Sequence, residues 1–217
     1  MYPPTEDAIH ILANFLTFKH TPKEGKEALQ PIHDTRPQGP VMEVFCKPTT
    51  LGEQYDMQTK ANPRHFRYLS ENAYIANAAP VPAVLRKAFT TLPTKRSSAL
   101  YFSMNPTSRR NLGVDQMALS MQSDHYFAVY TVWEDEAEDE KCHQWVKDVM
   151  KSVEGESLGS YLGDADFRMR RAKFWEEVEG RKVMSIREKW DPEGRICGFL
   201  GGNERDHLGN VLEWSET

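Results

Sequence analysis

The chain has 217 residues, enough for one domain or one domain with an appended segment. With 39% apolar, 11% aromatic and 27% charged residues it can build a packed core, which excludes a wholly disordered protein. A net charge of −5 argues against a nucleic-acid partner, and three scattered cysteines (Cys46, Cys142, Cys197) argue against a disulfide scaffold or a zinc ribbon.

No apolar run reaches the ~18 residues of a membrane span, so no membrane partner is expected. The N-terminus, Met-Tyr-Pro-Pro-Thr-Glu-Asp, lacks the basic start and apolar stretch of a signal peptide, and the expected location is cytoplasmic.

In chain order, Thr5 reads as a helix cap, with Ile9, Leu12, Ala13 and Leu16 on one face of the helix that follows. Thr21-Pro22-Lys23-Glu24 has the spacing of a capping box and predicts a second helix, ending before Pro31. After a proline-rich loop, Val41 to Cys46 reads as a short strand. Thr50-Leu51-Gly52-Glu53 repeats the capping-box spacing and predicts a short helix through Met57. Arg64 to Tyr68 alternates basic and aromatic residues like a half-exposed strand, and Pro80 and Pro82 open a helix closed by Pro93.

Three strands are then expected, at Ser97 to Met104, Gln116 to Met121 and His125 to Trp133. The acidic run Glu134 to Glu140 reads as the solvated start of a helix whose Cys142, Trp145, Val149 and Val153 share one face. The one basic stretch, Arg168 to Lys173, is flanked by acids and reads as a mixed surface helix. A last helix carries Val183, Ile186 and Trp190 and stops at Asp191-Pro192-Glu193-Gly194. The central strands lie too close together for helical crossovers. The predicted fold class is therefore α+β: an antiparallel sheet with helices packed on one face, plus a C-terminal helical segment.

The chain has no GxSxG elbow, P-loop, GxGxxG or HExxH. No metal site is expected. One group of residues remains as a candidate: Tyr101, His125, Tyr126, Tyr130 and Tyr161 are polar aromatics on or beside the sheet, suited to lining a pocket for a small organic ligand.

The stretch Gly159-Ser160-Tyr161-Leu162-Gly163-Asp164-Ala165-Asp166-Phe167, then Phe174-Trp175, then Ile186-Arg187-Glu188-Lys189-Trp190-Asp191-Pro192-Glu193-Gly194, resembles the end of the berberine-bridge-enzyme-like FAD-linked oxidoreductases. Upstream, Lys26 to Ile32, Arg67-Tyr68 and the strand ending at Trp133 fit as well, so the resemblance spans about residues 1 to 200. It implies residues 1–158 as a substrate-lobe-like domain, 159–200 as the family's C-terminal segment and 201–217 as a polar tail.

By the same resemblance Tyr161 is the catalytic base that removes a hydroxyl proton, with His125 as a second proton-transfer candidate and Tyr101, Tyr126 and Tyr130 orienting substrate. Gly163 stands where the family's Tyr-x-Asn motif has its asparagine. FAD is expected for the family but not to be bound by this chain alone, because the lobe that grips the flavin has no counterpart in it. The expected partners are a small-molecule substrate and either a second copy or a flavin-binding chain. Two other readings keep the fold: a flavin-free cyclase or isomerase using the same pocket in natural-product biosynthesis, and a non-catalytic dimeric binding protein.

Overall fold

The computed structural model describes residues 8–62, 64–103, 119–166, 169–170 and 172–195. The chain divides into two compact units, Met1–His65 and Phe66–Thr217. Thr5, Met104, residues 116–118 of the expected middle strand, Phe167, Arg168, Arg171, Cys197 and the polar tail lie outside the described residues.

The first unit holds helices α1 (Pro22–Asp34) and α2 (Leu51–Ala61). Both begin as their capping boxes dictate. The Thr21 hydroxyl accepts from the Glu24 backbone while the Glu24 carboxylate accepts from the Thr21 backbone, and Thr50 and Glu53 repeat the exchange. Helix α1 does not stop at Pro31 but runs one turn further, where the Thr35 hydroxyl donates to the Pro31 and Ile32 carbonyls. Helix α2 likewise outruns its expected end at Met57.

Two expected elements of this unit are absent. Residues 9–19 are not helical and 41–46 are not a strand. Ile9, Leu12, Leu16, Val41, Met42 and Val44 are all exposed. A helix of about 12 residues is marginal without a face to bury, and a strand without a neighbour leaves its backbone groups unpaired.

The second unit is built on a four-stranded antiparallel sheet, in the order β2–β3–β1–β4, from β1 (Arg67–Ile75), β2 (Ser98–Ser103), β3 (His125–Trp133) and β4 (Ser157–Gly159). Strand β1 starts later than expected and is longer, because Leu69 to Ile75 pair residue by residue with β3. Leu119 to Met121 are not in a strand.

Side chains alternate across the sheet. Leu69, Ala73, Ile75, Phe127, Val129 and Trp133 share one face. Helix α5 (Asp139–Val153) covers that face with Cys142, Val146, Val149, Met150 and Val153, joined by Leu85, which links the short helices α3 (Val81–Val84) and α4 (Arg86–Thr90), and by Ala88 of α4. Full burial of a side chain the size of Phe127 or Val149 stabilises by roughly 1.5–3 kcal/mol. Asp139 of the acidic run is not simply solvated: its carboxylate accepts two bonds from Arg67 and one from the Trp133 indole, tying the start of α5 to the β1–β3 pair. Its position in the first turn of α5 also suits the helix dipole.

A second small core forms where Ala172, Phe174 and Trp175 pack with Leu162, Ala165 and Val183, the last from α6 (Glu177–Trp190). Phe174 and Trp175 meet edge to face with ring centroids 6.0 Å apart. The fold is α+β, with helices on one face of an antiparallel sheet and a helix at the C-terminal side, as the sequence leads one to expect.

The expected mixed surface helix at 168–173 is not formed at its described positions. Arg170 instead donates to the carboxylate of Glu71, which lies on the helix-covered face and is 1% exposed. Burial outweighs the attraction of Arg170 and raises the Glu71 carboxyl to about 7.

Two predictions follow from this packing. A methyl group at Gly159 would stand 2.6 Å from the Lys173 carbonyl, at a φ of +157° that L residues rarely adopt. Gly159→Ala should therefore lower unfolding free energy by about 2 kcal/mol or more in urea denaturation, and a loss below 0.5 kcal/mol would contradict the packing. Because the folded carboxyl of Glu71 sits above its ordinary value, its contribution to stability is fully present below about pH 4.5 and is lost as pH rises through about 7. The stability of the wild type minus that of Glu71→Gln should fall by on the order of 1–3 kcal/mol between pH 5 and pH 8, and a flat difference would show an unperturbed carboxyl.

Candidate functional site

The face of the sheet away from α5 carries the even-numbered residues of β1, β3 and β2. In register, Ser70 stands opposite Tyr130, Asn72 opposite Ala128 and Tyr74 opposite Tyr126. Tyr126 and Tyr130 are four residues apart, ~13 Å along an extended strand. The residue between them on this face is the small Ala128, so the two side chains can lean toward a common point.

That point is Asp164, in the short turn Leu162–Asp164 that follows β4. The Tyr126 hydroxyl donates to its Oδ2 at 2.5 Å and the Tyr130 hydroxyl donates to the same oxygen at 3.0 Å. The Tyr74 and Tyr126 rings are tilted against each other, 5.2 Å apart.

The electrostatics follow from this placement. Burial and then the bond to Asp164 push the Tyr126 hydroxyl far above its ordinary value, and burial followed by the Asp164 charge does the same to Tyr130. Tyr74 is raised by burial first, then by Tyr161 and Asp164. All three phenols therefore remain protonated donors at neutral pH. Both bonds to Asp164 fall on Oδ2, and the carboxylate is held in one orientation with Oδ1 outside that pair.

Tyr161 stands at the rim, 41% exposed. Asn72 pins its backbone, donating to the Tyr161 carbonyl at 2.8 Å and accepting from the Tyr161 N–H at 2.7 Å. The Tyr161 ring folds back over Gly163, where an added Cβ would lie 2.6 Å from its Cε1. An asparagine at 163 would have to displace that ring, so the glycine that departs from the family motif and the position of Tyr161 are one feature.

The structure brings Tyr126 and Tyr130 together on Asp164, sets the Tyr161 backbone against Asn72 on the same face, and places His125 and Tyr101 elsewhere. His125 precedes Tyr126 on an extended strand and so points to the opposite face, in register with Ile75 and Ser103. There the Tyr101 hydroxyl and His125 Nδ1 share a 2.8 Å hydrogen bond, with rings stacked 6.0 Å apart. Sequence reading missed Asp164, Asn72 and Tyr74. Tyr74 could have been found from alternation once β1 was extended to Ile75. The other two depend on a turn meeting the sheet across 34 to 89 residues and left no local signal. Among the described residues no group of three or more His, Cys, Asp or Glu could hold a metal ion, and no helix is long and apolar enough to cross a membrane.

No family model matches the chain, and no solved structure matches it. Among characterised proteins, it is 31% identical over 191 residues to the FAD-linked oxidoreductase ptmO of Penicillium ochrochloron, covering 88% of this chain and 42% of that protein. To the FAD-linked oxidoreductase penO of Penicillium crustosum it is 30% identical over 198 residues, 91% of this chain and 44% of that protein. The FAD-linked oxidoreductase nodO of Hypoxylon pulicicidum is 32% identical over 175 residues, 81% and 39% of the two chains. The chain thus spans about two fifths of the length of the relatives it matches. The chain is thus similar to these FAD-linked oxidoreductases over one part of their length, as the expected resemblance implies.

Proposed function

We propose that this chain forms the substrate-binding portion of a FAD-linked oxidoreductase acting on a small organic molecule. The observation that carries the reading is the convergence of Tyr126 and Tyr130 on one oxygen of Asp164, with Tyr161 at the rim. A carboxylate held by two phenols among aromatic side chains suits an apolar ligand that donates one hydrogen bond. In this reading Asp164 Oδ1 accepts from a ligand hydroxyl or N–H, the rings of Tyr74 and Tyr126 take its apolar body, and Tyr161 moves the hydroxyl proton. FAD would accept a hydride when bound.

The described residues offer no parallel strand, glycine turn and helix to seat a pyrophosphate on a helix N-terminus, since all four strands are antiparallel. FAD is accordingly held outside this chain in the proposal. The chain's partner is then a flavin-holding chain or a second copy. Exposed Ile11, Phe18 and Val41 in the first unit support an associated state, because soluble proteins rarely leave many large apolar side chains bare.

Ligand-observed NMR against a library of small hydroxylated organic molecules tests the site. Binders of the wild type should lose about tenfold in affinity in Asp164→Asn, the size of one charge-assisted hydrogen bond. Tyr161→Phe should weaken the same binders less. Binders indifferent to both substitutions would sink the reading, and a purified chain carrying stoichiometric flavin absorbance would sink the placement of FAD. Light scattering at micromolar concentration should give more than the mass of one chain, for the protein alone or with a flavin-binding partner. A single-chain mass under both conditions would remove the partner.

A further inference from the structure

Strand β4 pairs with β1 only at Tyr74 and Ile75, where the register also shifts. Beyond that point side chains take over the role of the ladder, and they converge on Asn72, which has no exposed surface. Its side-chain amide takes both hydrogen bonds of the Tyr161 backbone, as a strand neighbour would. Its own carbonyl accepts from the Ser160 hydroxyl at 2.9 Å and from Arg170 Nη2 at 2.7 Å. The same Nη2 reaches the Ser160 Oγ at 2.8 Å, and Arg170 Nε donates to Glu71 Oε2 at 3.0 Å.

This is a costly way to fasten a loop. Glu71 lies on the face that holds Leu69, Ala73 and Val129, and its Oε1 is buried with no hydrogen-bond partner among the described residues, as is the hydroxyl of Thr131, which stands opposite Leu69. The charged groups facing it are Arg170 and Asp166. A well-packed apolar residue at 71 would stabilise the fold at least as well, whereas the ion pair fixes the direction of the guanidinium. Fixed in this way, Arg170 presents one nitrogen to both Asn72 and Ser160, the two residues that set the course of the chain into Tyr161 and the Leu162–Asp164 turn.

We propose that Asn72, clamped by Arg170 and Glu71, is the positioning residue of the open-face site: it determines where Tyr161 and Asp164 stand over Tyr126 and Tyr130. The inference rests on reading that face as the ligand site. Its consequence is that loosening Arg170 frees Asp164 from the two phenols even though Arg170 touches neither.

Tyrosine ionisation reads this without a ligand. The experiment is an alkaline absorbance titration of tyrosinate in the wild type, Asp164→Asn, Arg170→Lys and Asn72→Ser, with far-UV circular dichroism at each pH. The wild type should hold Tyr126 and Tyr130 protonated at least one unit above the ordinary tyrosine value of ~10. Asp164→Asn should bring two tyrosines down by about one unit, and Arg170→Lys and Asn72→Ser should bring down the same two while the fold persists. If Asp164→Asn shifts them and the folded Arg170 and Asn72 variants do not, the positioning role is wrong and the site reading stands. If Asp164→Asn shifts nothing, the site reading fails and the inference fails with it. Should Asn72→Ser not fold, Arg170→Lys alone decides, because it keeps the charge at a partly exposed position.

Discussion

The nine-residue antiparallel register between β1 and β3 is the constraint from which the rest of the second unit follows. Because side chains on paired strands alternate together, one alignment decides two surfaces at once. It sends Leu69, Ala73, Ile75, Phe127 and Val129 beneath α5, and it sends Tyr74, Tyr126 and Tyr130 to the other face. A slip of one residue would exchange the two sets, leaving aliphatic side chains in water and phenols under the helix. Burial of the first set therefore maintains the arrangement of the second.

Polar groups within this framework are placed where burial makes them directional. Tyr126 and Tyr130 are held further toward their protonated form by their surroundings, and both donate to one carboxylate oxygen, which orients Asp164. On the helix-covered face Glu71 serves a different end. Its carboxyl lies among apolar neighbours with one oxygen on Arg170, and the guanidinium spans to Asn72 and Ser160. The two faces of β1 are thus connected through a single residue, since Asn72 shows its amide to the open face while its carbonyl lies at the strand edge where Arg170 reaches it.

The sequence similarity to FAD-linked oxidoreductases extends over about two fifths of their length. The open face of the antiparallel sheet carries Tyr74, Tyr126 and Tyr130, and the returning Leu162–Asp164 turn meets it at Asp164. The first unit is of another character: two well-capped helices with Gly25 the only buried residue among those described. Caps fix where a helix starts, but they supply no core.

Elements whose cause is local were legible in the sequence. The two capping boxes, the strand His125–Trp133 and the amphipathic face of α5 are each set by neighbours within a turn or by strict alternation. The expected helix over residues 9–16 and the strand at 41–46 failed for the complementary reason: their patterns were present, but no surface in their unit covers them. Among candidate residues, Tyr126 and Tyr130 met on Asp164, whereas His125 and Tyr101 paired on the opposite face by the parity of the strand. Residue types and periodicity alone determined an α+β chain with an antiparallel sheet and a tyrosine-rich surface. Only the tertiary structure decided that Asp164 unites two of those tyrosines and that Asn72, Arg170 and Glu71 hold the turn in place, because those contacts join residues 34 to 99 positions apart and depend on which edge of β1 the returning chain meets.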